Sequence, residues 1–454
     1  MRCARHLTWL AALALGCAPE PLSVRVVAPH DDTPYVGADR VYLVLEQQSR
    51  PQSETATEIP VDAPVWPLTN LAHGFDLRLR VEARRDALVL ARGRSHPFDH
   101  PANAPPEGSL DVTLGTLGRF GLALADPELE GTVEDALAIL PIAGGALWMS
   151  ATGQLQHYES HGPRAHAQLT TVGRSELPAE ARWSALSGVG LVGIAGERLE
   201  AWSVHGERSH AIRSPRLALH DATSVLAVVD GAVLLAGGAT SPTAVTRVEL
   251  GADGARILTL PDLPGARVEA SGRATPVLDA ADRPTERLLL FGGAPTSSPW
   301  LVDPRGEAPT LTSTAALPTR GSALAVLATG LVAIAGGEQD GAVTDAIAVF
   351  VVRRDTLTEL SPAPPRLFVP RRDAATVELP SGAVLFVGGM GDGDTPLGSA
   401  ELLEVRLDEL PGDVSATGRL ASPAGRPRAA LLDDGTTLVV GGGAASLYFD
   451  PREL

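Results

Sequence analysis

The chain has 454 residues, and 44% of them are hydrophobic, which is enough for a small domain beside a large repeat fold and too much for a disordered protein. Its 37 basic and 54 acidic side chains give a formal net charge of −17, an acidic balance that argues against nucleic acid as the main partner. Abundant glycine (47) and proline (37) indicate short strands joined by turns.

The first seventeen residues have the composition of an export signal. Arg2 and Arg5 precede an apolar run, Leu7–Leu15, which is shorter than the roughly 20 residues of a membrane-spanning helix. The run ends in Ala14-Leu15-Gly16-Cys17, which resembles a bacterial lipoprotein signal. The resemblance implies removal of residues 1–16, lipidation of Cys17 and attachment to a membrane of the cell envelope. The alternative is an ordinary secretory signal in which Cys17 is incidental.

Residues 17–118 contain several short runs that have the composition of strands. Within Phe75–Ala83, apolar residues alternate with charged ones, as in a strand with one buried face. We therefore predict a small immunoglobulin-like β-sandwich that serves as a spacer. Its strands are expected at Ser23–Ala28, Arg40–Glu46, Glu58–Val61, Phe75–Ala83, Leu88–Arg92 and Leu110–Leu117.

Residues 119–454 contain an internal repeat. An apolar run ends in two glycines five times, and successive copies are 44 to 55 residues apart. Two weaker copies, Leu191–Gly196 and Ala146–Ala151, precede them. Further strand-like runs flank each copy, so that each repeat predicts four strands. The glycine pairs are expected to take positive φ and to permit close backbone approach, a structural role; they are Gly237-Gly238, Gly292-Gly293, Gly336-Gly337, Gly388-Gly389 and Gly441-Gly442.

This pattern resembles the kelch repeat, both in the strand closed by two glycines and in an arginine that opens the preceding strand. That arginine stands in Arg-x-x-Ala at Arg182, Arg320, Arg371 and Arg426, with a looser match at Arg273. The resemblance implies an all-β fold in which a seven-bladed kelch-like β-propeller follows the sandwich. The last repeat lacks a fourth strand, and we expect Phe120–Leu124 to supply it and thereby close the ring.

The resemblance also implies where a ligand could bind. First strands line the central channel of a propeller, so the five arginines would form a positive ring suited to an acidic peptide or an anionic sugar. The alternative is that each arginine pairs with a carboxylate or carbonyl of the neighbouring blade. Trp148, Trp183 and Trp202 belong either to a binding surface or to packing.

No motif for a metal, a cofactor or a catalytic nucleophile is recognisable in the sequence. The leading hypothesis is therefore an envelope-anchored protein that binds a protein or a glycan and is not an enzyme. One alternative is a glycan hydrolase with carboxylates at the propeller mouth. Another is a purely architectural envelope protein.

Overall fold

We analysed a computed structural model of the chain, which describes sixteen segments. Cys17 and the predicted signal peptide lie outside the described residues. The described segments are 22–47, 50–57, 65–68, 73–100, 109–124, 132–160, 167–186, 190–278, 283–295, 298–311, 317–318, 320–327, 330–353, 356–360, 365–405 and 412–452.

The contacts divide the chain into two compact units. One comprises Met1–Ala28 and Pro34–Leu114, and the other comprises Pro29–Thr33 and Gly115–Leu454. Residues 115–118, which the sequence assigned to the N-terminal module, are grouped with the second unit by this division. The hydrogen bond from the Gly118 amide to the Phe449 carbonyl (2.9 Å) is a contact within that unit.

The first unit contains two sheets that share one core. The smaller sheet has Ser23–Val27 between Val65–Pro67, which is antiparallel to it, and Ser109–Thr113, which is parallel. Side chains of both sheets, among them Val24, Val41 and Val81, form a single apolar cluster. The larger sheet contains Arg50–Thr57, Arg40–Gln47, Gly74–Arg85 and Leu88–Arg94 in that order, with Phe98–His100 also paired to Gly74–Arg85.

Most of the predicted strands of the first unit are confirmed. Glu58–Val61 lies outside the described residues. Arg50–Thr57 was missed because its sequence, Arg-Pro-Gln-Ser-Glu-Thr-Ala-Thr, has no apolar alternation.

The described part of the second unit contains seven four-stranded antiparallel sheets, here called sheets I to VII. Their strands, in spatial order, are as follows: sheet I, Ala136–Ile142, Gly145–Ser150, Gln154–Glu159 and Gln168–Arg174; sheet II, Arg182–Leu186, Gly190–Ala195, Arg198–Ser203 and Arg208–Arg213; sheet III, Val225–Val229, Ala232–Ala236, Val245–Gly251 and Gly254–Leu260; sheet IV, Ser271–Leu278, Pro284–Phe291, Trp300–Val302 and Thr310–Leu311; sheet V, Ala323–Val326, Leu331–Ala335, Ile347–Arg353 and Thr356–Glu359; sheet VI, Ala375–Glu378, Val384–Val387, Leu397–Glu404 and Asp413–Ala424; sheet VII, Arg428–Leu431, Thr437–Gly441, Ala444–Tyr448 and Phe120–Leu122.

Smaller elements accompany these sheets. Two short antiparallel pairs join Arg267–Val268 to Ala294–Pro295 and Glu338–Gln339 to Ala342–Val343. The second unit also contains the short strand Gly115–Thr116 and two 3₁₀ turns, Leu217–Leu219 and Asp392–Asp394. No helix in the described segments is long and apolar enough to span a membrane.

The second strand of each sheet is the apolar run that defines the repeat. In Leu331–Ala335, Val384–Val387 and Thr437–Gly441 every residue is buried, because both faces of the strand pack against side chains of neighbouring sheets. One cluster joins Leu234 of sheet III to Leu288 of sheet IV, and other clusters join further pairs of sheets. The all-β class and the repeated four-stranded unit predicted from the sequence are confirmed.

Sheet VII combines strands from distant parts of the chain. Phe120–Leu122 pairs with Ala444–Tyr448, Phe120 lying opposite Tyr448 and Leu122 opposite Ser446. The Ala123 amide extends the pairing with a 3.0 Å hydrogen bond to the Ala445 carbonyl. The predicted pairing of this segment with the last repeat is therefore confirmed.

The repeat glycines have the backbone conformation expected of them, with one correction. Nine of the ten have positive φ, and Gly441 is the exception, since it is the last residue of a regular strand. In sheet VII the pair with positive φ is Gly442-Gly443. Three consecutive glycines stand there, so the sequence alone could not fix which two follow the strand.

The first strands of the seven sheets are in contact one after another. Each touches the first strand of the next sheet, and the first strand of sheet VII touches that of sheet I. Between sheets VII and I, the Arg428 Nε atom donates a 2.8 Å hydrogen bond to the Leu137 carbonyl. The starts of the first strands consequently meet at one place in the second unit.

Candidate functional site

A cavity of about 990 Å³ lies in the second unit where the first strands begin. Each of the seven sheets contributes lining residues from its first strand or from the segment just before it. Such a volume is at the upper end of the range for pockets that hold small ligands. No cluster of three or more potential metal ligands occurs among the described residues.

The lining of the cavity is densely charged. It contains six arginines and five carboxylates, so its formal charge is positive although the whole chain is strongly acidic. The arginines are Arg182, Arg273, Arg320, Arg372, Arg426 and Arg428, and the carboxylates are Asp135, Glu180, Glu269, Asp373 and Asp394.

Arg320 is held by two carboxylates. Its Nη2 atom lies 2.7 Å from Glu338, and its Nη1 atom lies 3.3 Å from Glu269. Hydrogen bonds to Glu338 and Glu269 raise the pKa of Arg320. The positive charge of Arg320 is thus compensated by the protein itself.

A second charged group surrounds Asp373. Arg372 donates to Asp373 (2.7 Å) and to Asp394, and the Arg426 Nε atom lies 3.5 Å from the same Asp373 carboxylate. The Arg426 side chain is 70% exposed, so its share of this pair is weak. Arg372 and Arg426 therefore both have an acidic neighbour at the cavity.

Arg182 stands apart from these pairs. Its side chain makes no hydrogen bond and no ion pair with any described residue, and its buried Nε atom has no acceptor among them. Burial lowers the pKa of Arg182, the charge of Arg426 lowers it further, and the more distant charges of Asp373 and Glu269 oppose that shift. The Arg182 guanidinium thus lies at the cavity, and no described carboxylate forms an ion pair with it.

Arg428, in the first strand of sheet VII, is bonded only to backbone. Besides its bond to the Leu137 carbonyl, it donates from Nη1 to the Pro427 carbonyl at 3.0 Å. Burial lowers the pKa of Arg428, and the positive charge of Arg182 lowers it further. Arg182 and Arg428 thus line the same cavity, and neither forms an ion pair with a described residue.

Arg273 also lines the cavity, from the first strand of sheet IV. Burial lowers its pKa and the charge of Glu378 opposes this shift. Of the five arginines predicted from the repeat, four line the cavity: Arg182, Arg273, Arg320 and Arg426.

Arg371, the fifth predicted arginine, lies inside sheet VI instead. Its side chain is fully buried, and its Nη2 atom lies 2.6 Å from the buried carboxylate of Glu401. Nη1 donates to the carbonyls of Gly388 and Ser399, both at 2.9 Å. Arg371 is therefore structural, but its partners lie in sheet VI itself and not in a neighbouring sheet, as the alternative reading expected. The neighbouring Arg372 reaches the cavity and was missed, although Arg372-Asp373-Ala374-Ala375 fits the same pattern.

The tryptophans divide in a similar way. Trp148 is fully buried and donates to the Gln156 side chain at 2.9 Å, and Trp202 is 6% exposed and packs over Gly173. Trp183 lines the cavity beside Arg182. Two of the three candidate binding aromatics thus serve packing.

Comparison with known protein families finds no family model that matches this chain, and comparison with curated proteins finds no match.

Proposed function

We propose that this chain is an envelope-anchored lipoprotein whose second unit, a seven-bladed kelch-like propeller, binds a protein or glycan partner at the charged cavity. The observation that carries the proposal is the cavity itself, to which all seven sheets contribute and in which the Arg182 side chain has no polar partner among the described residues. Rigid strands that hold a few converging polar groups are typical of a binding site.

Three observations support the propeller. The described part of the second unit has seven similar four-stranded sheets, and their first strands contact one another in sequence order and back to the start. An N-terminal strand completes the last sheet, as a propeller that leaves no open edge requires. The lipid anchor rests on the sequence around Cys17, and the immunoglobulin-like spacer on the two-sheet core of the first unit.

Binding is favoured over glycan hydrolysis by the state of the carboxylates. A glycosidase needs one carboxyl group that donates a proton and a second that acts as base or nucleophile. Glu269, Asp373 and Asp394 each lie against an arginine, so their oxygens already have a partner within the chain. They are better suited to shaping a polar rim than to proton transfer.

The test is affinity capture with a bait that begins at Ala18, applied to solubilised envelope proteins and glycans. Ala222 is exposed and lines the cavity, so Ala222→Trp should obstruct the cavity without changing its charge. Ala252 lies in the exposed turn between the last two strands of sheet III, and Ala252→Trp is the matched control. We expect a partner that is captured by the unmodified and control baits and lost by Ala222→Trp. Equal capture by all three baits would contradict a role for the cavity, and turnover of a labelled glycan would favour the hydrolase.

A further inference from the structure

We infer that Arg182 and Arg428 together form a carboxylate-binding pocket within the cavity, and that the carboxylate comes from a glutamate or aspartate side chain of an acidic peptide. The inference rests on the proposed function and gives the ligand's chemistry. It assigns recognition to sheets II and VII, which lie on either side of sheet I.

The backbone holds one of the two guanidinium groups in place. Arg428 is fixed at Nε by the Leu137 carbonyl and at Nη1 by the Pro427 carbonyl. These bonds orient the guanidinium but bring no negative charge to it, and its Nη2 atom has no bond to any described residue. An arginine held in this way is preorganised to receive an anion, since its rotamer is set before the ligand arrives.

The second guanidinium, that of Arg182, adds another positive charge at the cavity. The Arg182 side chain has no hydrogen bond or ion pair with a described residue, and it lines the same cavity as Arg428, which is bonded to the adjoining sheet I. The carboxylates whose charges act on Arg182 have other partners: Asp373 pairs with Arg372 and Arg426, Glu269 pairs with Arg320, and Asp221 accepts hydrogen bonds from Thr223 and Thr240. Two like charges in a partly enclosed cavity are unfavourable unless an anion lies between them, so a bound anion gains their joint attraction.

The charge of the lining indicates a monoanion. With Glu338 counted beside Arg320, six arginines face six carboxylates, so a ligand that adds one negative charge disturbs the balance less than a ligand that adds two. A phosphate dianion would leave the lining negative and would face the rim carboxylates Glu269 and Asp394. A guanidinium fork also matches the two oxygens of a carboxylate.

A peptide fits the surroundings better than an acidic sugar. The first strand of each sheet is an edge strand, and these edges line the cavity, where backbone groups can pair with an extended peptide. An acidic sugar would have only one of the three candidate aromatics, Trp183, to stack on, because Trp148 and Trp202 are buried in packing.

Calorimetric titration of the protein that begins at Ala18 tests the pocket directly. The probe is acetyl-Gly-Glu-Glu-Gly-amide, with acetyl-Gly-Gln-Gln-Gly-amide, glucuronate and inorganic sulfate as comparisons. We expect the glutamate peptide to bind and the glutamine peptide not to bind. Arg182→Gln and Arg428→Gln should each weaken binding at least tenfold. Arg213→Gln is the matched control, because Arg213 is a 79% exposed arginine paired with Glu197 in the outer strand of sheet II, and it should leave binding unchanged.

Several results would overturn the inference. Binding of glucuronate that is tighter than that of the glutamate peptide would identify a sugar site, and tighter binding of sulfate would identify a general oxyanion site. Equal binding of the peptide by all variants would show that neither arginine takes part in recognition. Thermal melting of each variant shows whether it is folded. If the peptide binds as expected but Ala222→Trp does not alter capture, the pocket stands and the proposed function fails. If capture depends on the cavity but Arg182→Gln and Arg428→Gln have no effect in either assay, the proposed function stands and the pocket fails.

Discussion

Gly336 shows why a glycine must follow the second strand of sheet V. Its φ is +62°, and a Cβ atom added there would lie 2.2 Å from the carbonyl oxygen of Arg371. That carbonyl also accepts a 2.8 Å hydrogen bond from the Gly337 amide, so it cannot move away without breaking the bond. Backbone strain and a steric clash therefore both exclude a side chain.

Gly341 allows the two effects to be separated. It has a φ of +80°, but a Cβ atom there would meet nothing within 4 Å. We expect Gly341→Ala to cost about 1–2 kcal/mol from its left-handed backbone alone. Gly336→Ala should cost a further 1–3 kcal/mol or so, since overpacking forces the backbone apart. Urea denaturation of both variants measures the difference, and equal midpoints would show that the contact with Arg371 is unimportant.

The adjacent arginines Arg371 and Arg372 have opposite surroundings. Arg371 points into sheet VI, where Glu401 and two carbonyls bind it, whereas Arg372 reaches the cavity and pairs with Asp373 and Asp394. Both residues fit the Arg-x-x-Ala pattern. Neighbouring residues of an extended chain point to opposite sides. An alignment of the repeat that is wrong by one residue therefore selects the structural arginine in place of the one at the cavity.

At the scale of the strands, most of the fold was predictable from the spacing of apolar residues and from the glycine pairs. The buried second strands, such as Val384–Val387, were predictable because four or more consecutive apolar residues between turns indicate a strand covered on both faces. Arg50–Thr57 was not predictable, because its place in a sheet depends on its pairing with Arg40–Gln47 and not on its own composition.

The candidate site was predictable only in part. The repeat indicated that arginines stand near the starts of first strands, and the cavity contains four of those predicted. Which of these arginines form ion pairs could not be predicted from the repeat. Whether an arginine is paired depends on carboxylates from other sheets, as with Arg320 and Glu269, which are 51 residues apart in the chain.

The strand Phe120–Leu122 offers a test at the same scale. It pairs with Ala444–Tyr448, and the Phe120 ring lies 4.8 Å from that of Tyr448. Replacement of residues 119–124 by a Gly-Ser sequence of equal length keeps the chain connected but removes these contacts. We expect the unfolding midpoint to fall and sheet VII to lose amide protection first, because its third strand becomes an open edge.

A replacement in the first unit is the control for this experiment. Residues 101–106 can be replaced by the same Gly-Ser sequence, which leaves the pairing of Phe120–Leu122 intact. Unchanged protection of Ala444–Tyr448 in the 119–124 variant would show that the N-terminal strand is dispensable.

At the scale of the whole second unit, the packing between consecutive sheets predicts that they unfold together. Trp148 and Tyr158 of sheet I share one apolar cluster with Leu438 and Phe449 of sheet VII, although the two sheets are far apart in sequence. Similar clusters join the other sheets. If the sheets form the proposed propeller, no sheet can leave without exposing two neighbours, and loss of one should destabilise all.

Leu438→Ala tests this cooperativity, because Leu438 is fully buried in the cluster shared by sheets VII and I. The substitution should cost about 2–5 kcal/mol through the cavity that it leaves. Hydrogen exchange should show the same loss of protection in the slowest amides of sheets VII, I and III, because those amides exchange only when the whole unit unfolds. The partly exposed Leu219 provides the control, and Leu219→Ala should leave exchange nearly unchanged. Loss of protection confined to sheet VII would mean that the sheets unfold one at a time, as in an open array with nearest-neighbour coupling.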